Sequence, residues 1–389
     1  MQSSTYAQAH YFMYNALITA IHAQSRPTVI TFAGAGSQAL WWLHGVAGSS
    51  RTIVEALDCY SPASMQQHIG YMPARFVSQQ TAIDMAKSAY IRAIDLGYTN
   101  RPIGLSCTAT IATDRIKKGE HGCWVAVCDD QFVHSYGLIL QKGLRDRLGE
   151  EALISEVMIR VLARHVDVAA HIDLTLGDQE QIDQHHAIND DALGQLLVGH
   201  HTIVEYTQSA YQARPISNAT ILSGSFNPLH DGHRALLHTA ISVTGKPGYF
   251  ELSVINVDKP TIPYHVVRQR ATQFGMPSLL LSRAPRFIDK AQLMPGSTFV
   301  LGYDTAIRLL DRKYYVNGNI DDMFDQIAHT GCSFLVAGRR MEGQPFQLFD
   351  IESVPTRWRH LFETLDEATF RYDISSSQIR QGRFLPPSM

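Results

Sequence analysis

Ser223-Gly-Ser-Phe-Asn-Pro-Leu-His-Asp-Gly-His233 separates an apolar run, Ala219 to Leu222, from a helical pattern that begins near His233. A strand that yields through a tight glycine turn to a helix, and then to a second strand at Tyr249 to Val254, is the grammar of an α/β domain. Thr298 to Leu301 and Ser333 to Ala337 add short apolar runs suited to a parallel sheet covered on both faces. Gly224 permits a tight turn and close approach of a ligand, and Pro228 stiffens the loop. His230 and His233 fall at i and i+3, on one face of the helix start and beside unpaired backbone N–H donors. Such a place favours phosphate oxygens, and imidazole donors strengthen there as negative charge builds during phosphoryl or nucleotidyl transfer. In isolation a histidine pair at this spacing reads more simply as a surface or metal-binding pair.

A second segment changes that balance. Asp373-Ile-Ser-Ser-Ser-Gln-Ile-Arg380 stacks three hydroxyls before a helical pattern and places a guanidinium one turn later. One serine suffices to cap a helix; three, with Arg380, offer hydroxyl, backbone and bidentate contacts suited to a polyphosphate. Together the two segments resemble the G-x-F-x-P-x-H-x-G-H and I-S-S-T/S-x-I-R patterns of the nucleotidylyltransferase superfamily. Their order and separation are similar to those of nicotinamide or nicotinate mononucleotide adenylyltransferases, over roughly Asn218 to Phe384.

The resemblance implies a Rossmann-like domain in which Gly224, Ser225 and Phe226 form the ATP-binding turn. His230 and His233 would hold the α- and β-phosphate region, and Ser375, Ser376 and Arg380 the outgoing pyrophosphate. His230, His233 and Arg380 are thus the expected catalytic groups. Gly302-Tyr-Asp304 resembles the family's Gly-x-Asp segment that contacts a nucleotide ribose; without the resemblance it is a polar strand end. Lys259, Arg268 and Arg270 follow the strand at Tyr249 to Val254; each is a solvated cation unless it neutralises phosphate, with Lys259 the best placed. The implied chemistry is in-line attack of a mononucleotide phosphate on the α-phosphorus of ATP, with Mg²⁺ bridging phosphate oxygens and no enzyme nucleophile. His230 stands where the similar phosphopantetheine adenylyltransferases carry threonine, and no Arg-Thr-Glu-Gly precedes Ile374 as in glycerol-phosphate or choline-phosphate cytidylyltransferases. Nicotinamide and nicotinate remain open, since one amide or carboxylate contact decides between them.

The N-terminal half alternates as well: a helical pattern at Tyr11 to Ala23, a buried strand at Thr28 to Phe32, and a turn rich in glycine. A helix is expected over Thr81 to Leu96, strands at Ile103 to Thr110 and Trp124 to Cys128, and a long amphipathic helix over Glu150 to His165. Ala47-Gly-Ser-Ser50, Tyr60-Ser61 and Ile69-Gly70 resemble segments of the CinA C-terminal domain, whose active members are nicotinamide mononucleotide deamidases. The family's E-S-C-T-G-G motif falls on Phe32-Ala-Gly-Ala-Gly-Ser37, so Ala33 takes the place of the serine nucleophile. An alanine has no nucleophilic atom, and the resemblance therefore implies a domain without the usual deamidase activity. Tyr60 would still line a nucleotide-sized pocket. Ser37, four residues after Ala33, would belong to the same pocket as a displaced nucleophile, although a serine in such a turn more often serves the backbone.

The composition bounds these readings. At 389 residues the chain has room for two or three domains at about 100–200 residues each. The expected domains are 1–168 (CinA-like), 169–217 (a connecting helical segment) and 218–389 (the nucleotidylyltransferase-like domain). Thirty-three Lys and Arg against 36 Asp and Glu give a net charge of -3, so no basic field draws the chain to nucleic acid or anionic lipid. Five scattered cysteines point to reduced thiols, and the doublets His185-His186 and His200-His201 to surface residues rather than metal ligands. The start of the chain lacks a signal-peptide order and no apolar run nears ~20 residues, so a soluble, cytoplasmic protein is expected. Its expected partners are ATP and a phosphate-bearing small molecule, with a homo-oligomer compatible and neither nucleic acid nor membrane required. Two other functions fit the sequence: a non-catalytic pyridine-nucleotide sensor, and a deamidase with a non-standard nucleophile.

Overall fold

The computed structural model describes residues 14–115, 118–169, 174–207, 210–256, 261–311, 320–340 and 346–372. Lys259, Ser375, Ser376 and Arg380 lie outside the described residues. The chain is α/β and divides into two compact units, one running to Gly194 and including Pro263–Arg268, the other comprising Gln195–Ile262 and the chain from Gln269 onward.

The first unit holds α1 (14–23), β1 (Thr28–Ala33), α2 (Ser37–Gly45), β2 (Ile53–Asp58), α3 (Pro62–Ile69), α4 (Gln79–Asp95), β3 (Ile103–Thr110), β4 (His121–Cys128), β5 (Phe132–Leu140), α5 (Arg147–His165) and β6 (Ile182–Ile188). Its sheet has the order β2-β1-β3-β4-β5-β6; β1, β2 and β3 are parallel, and β4 to β6 continue as an antiparallel meander. All six residues of β1 are buried, as expected of a strand covered on both faces. Ser61, Ser78 and Asp146 begin α3, α4 and α5 by accepting from the backbone N–H of Ser64, Thr81 and Gly149. The core gathers Ile30, Leu105, Val125, Leu153, Val157 and Met158.

After α6 (Ala192–Val198) the chain continues with β7 (Ile203–Thr207), β8 (Ala210–Gln212), β9 (Thr220–Ser223), α7 (Asp231–Thr244), β10 (Gly248–Ser253), α8 (Tyr264–Ala271, which passes from the first unit into the second at Gln269), β11 (Leu279–Ser282), α9 (Phe287–Leu293) and β12 (Thr298–Gly302). It closes with α10 (Tyr303–Leu310), α11 (Ile320–His329), β13 (Ser333–Ala337), β14 (Arg339–Arg340), β15 (Phe346–Gln347) and β16 (Phe362–Leu365). The main sheet runs β16-β13-β12-β9-β10-β11-β7-β8. From β16 to β11 every pairing is parallel; β7 and β8 are antiparallel additions at one edge. The chain winds from β9 outward through β10 and β11, then returns to the other side of β9 for β12 and β13. The order reverses between β9 and β12, and in open α/β sheets ligands bind beside the carboxyl ends of the strands at that reversal.

The stretch 169–217 is not the helical connector expected from its polar sequence. It carries β6, the short α6, β7 and β8. β6 reads as polar because it is an edge strand with most of its residues exposed. The helical pattern from Asp191 stops at Val198 because Gly199 takes φ 97° and its N–H closes onto the Gln195 carbonyl.

Within the second unit an ion pair is sealed in the core. Lys290 on α9 donates to Glu251 on β10 at 2.6 Å, and the Ser282 hydroxyl donates to the other carboxylate oxygen. Both charged side chains are almost fully buried. Removing one partner strands the other charge in a low-dielectric interior. Lys290→Ala is expected to lower the unfolding free energy by about 3–5 kcal/mol in urea denaturation, and combining Lys290→Met with Glu251→Gln to recover most of the loss.

Candidate functional site

The turn after β9 is built around one ring. Phe226 adopts φ 44°, in the left-handed region that non-glycine residues rarely enter, and its side chain is 1% exposed. The ring packs edge-on to Phe250 at 5.4 Å, Phe274 at 5.3 Å and His233 at 5.1 Å between centroids. A Cβ on Gly224 would sit 2.9 Å from this ring, so glycine is required there by close approach. The ring of Phe226 thus belongs to the core and holds the turn from beneath.

The turn is also gripped from outside its own sequence. Gln273 accepts from the Leu229 N–H at 2.8 Å and donates to the Phe226 carbonyl at 3.2 Å, clamping both limbs. Arg270 donates to the Ser225 carbonyl at 3.4 Å. Gln273 was not legible as part of the site, because it stands more than 40 residues beyond the turn and belongs to no motif.

His230 is the residue at which α7 begins, and His233 lies in the first turn. Their rings stack with centroids 3.7 Å apart and planes 24° apart. The His230 backbone N–H donates to His233 Nδ1 at 3.3 Å, so a neutral His233 carries its proton on Nε2, free to donate elsewhere. His230 Nδ1 and Ser223 Oγ are buried and have no hydrogen-bond partner among the described residues. Burial lowers the pKa of both imidazoles: Asp231 partly offsets this at His230, whereas His230 adds to it and His233 falls to about 4. Two neutral rings at a helix start, with spare ring nitrogens, can donate to an anion without first shedding a counter-ion.

Gly302 and Asp304 lie at the carboxyl end of β12, the strand beside β9. Val300 pairs with Leu222, leaving Gly302 and Gly224 each two residues further along. Asp304, in the first turn of α10, forms an ion pair with Arg339, and both side chains are about half exposed. Gly224, Ser225, His230, His233, Gly302 and Asp304 thus all follow the carboxyl ends of the neighbouring central strands β9 and β12. Arg339 is a partner that the Gly-x-Asp segment alone did not announce.

The first unit contains a separate cavity of about 320 Å³, lined by Ala33, Gly34, Tyr60, Phe76, Thr108 and Arg147 among others. Tyr60 is 70% exposed at its wall. Ser37, expected near this pocket, is not among its lining residues: its hydroxyl donates at 2.9 Å to Glu151 Oε1. The same oxygen accepts from the N–H groups of Gly36 at 3.0 Å and Gln38 at 3.2 Å. A buried carboxylate from α5 therefore occupies the amino end of α2, where an anionic ligand would otherwise be favoured. Cys59 also lines the cavity, and burial pushes its thiol up to about 11, away from nucleophilic reactivity at neutral pH. All five cysteines are free and buried. His185 and His186 lie on a strand, not a helix, and face opposite sides of it, toward Trp124 and His134 respectively.

No family model matches the chain, and no curated protein does. Among solved structures it is similar to the competence/damage-inducible protein CihA from Agrobacterium tumefaciens, at 17% identity over 40% of this chain and 93% of that one, with a TM-score of 0.32. A CinA-superfamily protein from Escherichia coli aligns at 15% identity over 39% of this chain and 86% of its own, with a TM-score of 0.31. One from Klebsiella pneumoniae aligns at 10% over 40% and 97%, with a TM-score of 0.32. Likeness at this level assigns no chemistry to the chain. Among the described residues no helix is long and apolar enough to cross a membrane.

The state of His233 has a measurable consequence for folding. An unfolded imidazole binds its proton near pH 6.5, whereas the folded one resists until about 4. Between those values the unfolded chain holds more protons, so this group makes stability fall as pH drops through the window. Melting temperatures of wild type and His233→Gln from pH 7 to 4 should show the shallower decline in the variant.

Proposed function

We propose that the second unit is an ATP-dependent adenylyltransferase that joins AMP to the phosphate of a pyridine mononucleotide and releases pyrophosphate. The observation that carries this reading is the stacked, neutral His230–His233 pair at the start of α7, at the point where the strand order reverses. Its motif is the one whose resemblance points to nucleotidyl transfer, and its position is the one at which open parallel sheets bind nucleotides.

In this reading the Gly224–His233 turn receives the triphosphate. Gly224 leaves room for close approach, Phe226 and Gln273 hold the turn in one shape, and ring N–H groups of the two histidines face phosphate oxygens. These donors already meet anionic phosphate oxygens in the ground state and gain strength as charge redistributes around the α-phosphorus in the transition state, which is the differential stabilisation that accelerates transfer. Rings 3.7 Å apart cannot both be cationic at modest cost, so at most one proton is added to the pair as charge builds. Among the described residues no group of three His, Cys, Asp or Glu is placed to hold a metal ion. Mg²⁺ enters as part of the Mg-ATP substrate, carried on phosphate oxygens. Asp304, released from or shared with Arg339, would accept from a ribose hydroxyl. Ser375, Ser376 and Arg380 are assigned the pyrophosphate on their motif alone.

For the first unit the reading is binding without turnover: Ala33 stands in the cavity wall, and the hydroxyl of Ser37 is committed to Glu151. Incubating pure protein with Mg-ATP and each pyridine mononucleotide should yield dinucleotide and pyrophosphate, with no ammonia from nicotinamide mononucleotide. His233→Ala should reduce pyrophosphate release at least ~100-fold, the scale of losing one strong transition-state donor. Unchanged turnover in that variant would remove His233 from the mechanism.

A further inference from the structure

The turn after β9 has a charge deficit. Both of its histidines are held neutral by burial, so neither brings a fixed positive charge to a polyphosphate that carries several negative ones. The last turn of α8 supplies the missing element. Arg270 is half-buried, at the last turn of α8, and donates to the Ser225 carbonyl of the turn itself. No carboxylate pairs with it among the described residues, and burial draws the pKa of its guanidinium down with no described anion to offset the cost. Its neighbours differ. Arg268, assigned to the first unit, is committed to Asp84 at 3.2 Å and lies over the Tyr71 ring. Arg234 on α7 is exposed and gives a donor to the Gln273 carbonyl.

A cation removed partly from water without a partner is costly unless an anion completes it, and a planar guanidinium with spare donors matches phosphate oxygens in bidentate fashion. From the juxtaposition of this unpaired guanidinium with the Ser225 carbonyl we infer that Arg270 is the fixed cation of the site and binds a phosphate group of the ligand seated in the Gly224–His233 turn. Its contact with Ser225 orients it at the lip of the turn, and no other hydrogen bond from its guanidinium is present among the described residues. The identity of that phosphate as part of ATP rests on the adenylyltransferase reading; the assignment of Arg270 to an anion site does not.

Two measurements separate these claims. Titration calorimetry of the full chain with inorganic tripolyphosphate requires no turnover. Arg270→Gln should weaken tripolyphosphate binding at least ~10-fold, in line with loss of a charge-assisted hydrogen bond, while Arg234→Gln changes it less than ~3-fold. Melting temperature and circular dichroism check that each variant is folded. If Arg270→Gln does not fold, Arg270→Lys takes its place, with a loss of ~3-fold or more expected because the fork geometry is gone. Wild-type affinity in the folded variant, or no tripolyphosphate binding by the wild-type protein, overturns the assignment. In the second measurement, Arg270→Gln should raise KM for Mg-ATP more than it lowers kcat, since the contact is present before and during transfer. Tripolyphosphate binding that depends on Arg270 in a protein that forms no dinucleotide would leave the anion site standing and remove the adenylyltransferase reading.

Discussion

The burial of one aromatic ring governs the shape of the second unit's site. Phe226 sits in a backbone conformation that costs energy, and it stays there because its side chain fills a pocket among Phe250, Phe274 and His233. Everything above the ring follows. Gly224 has to lack a side chain, the turn has to pass over the ring, and α7 has to start where His230 and His233 stack. A turn fixed by apolar packing from below leaves its upper surface, made of backbone and imidazole nitrogens, clear for a ligand.

Electrostatics then divides the labour. Stacked imidazoles in a half-buried place are neutral, and a neutral donor discriminates between a ground state and a more charged transition state better than a permanent cation does. Permanent charge suits binding, and in the proposed reading it comes from elsewhere: the half-buried guanidinium of Arg270 and, on motif alone, Arg380. Asp304 and Arg339 hold each other at the neighbouring strand end, so that carboxylate is already oriented before any ligand arrives.

The two units treat the same physical opportunity in opposite ways. Each has a glycine-bearing turn between a parallel strand and a helix. In the first, Glu151 reaches from α5 and satisfies Gly36, Ser37 and Gln38 with one carboxylate oxygen, closing the helix end to outside anions. In the second, buried polar atoms of Ser223 and His230 have no partner among the described residues. An internally neutralised helix end contributes stability; an unsatisfied one is a cost that a ligand can relieve.

Local pattern was enough to reveal the α/β class, β1, β3 and β4 of the first sheet, β9, β10, β12 and β13 of the second, the long helices α4 and α5, and the histidine pair, because each is written in spacing over fewer than 20 residues. Edge strands escaped it: β6 is polar because water covers most of it, and β7 was hidden in a helix-like pattern that Gly199 interrupts. The sequence by itself determined which residues stand at the β9–α7 turn and that Ala33 cannot act as a nucleophile, since those depend only on identity and neighbouring residues. Only tertiary structure decided that the Phe226 ring anchors the turn, that Gln273 and Arg270 serve it, and that Ser37 belongs to Glu151. Those facts depend on chain segments brought together across as many as 115 residues by the packing of separate elements, distances over which no local periodicity carries information.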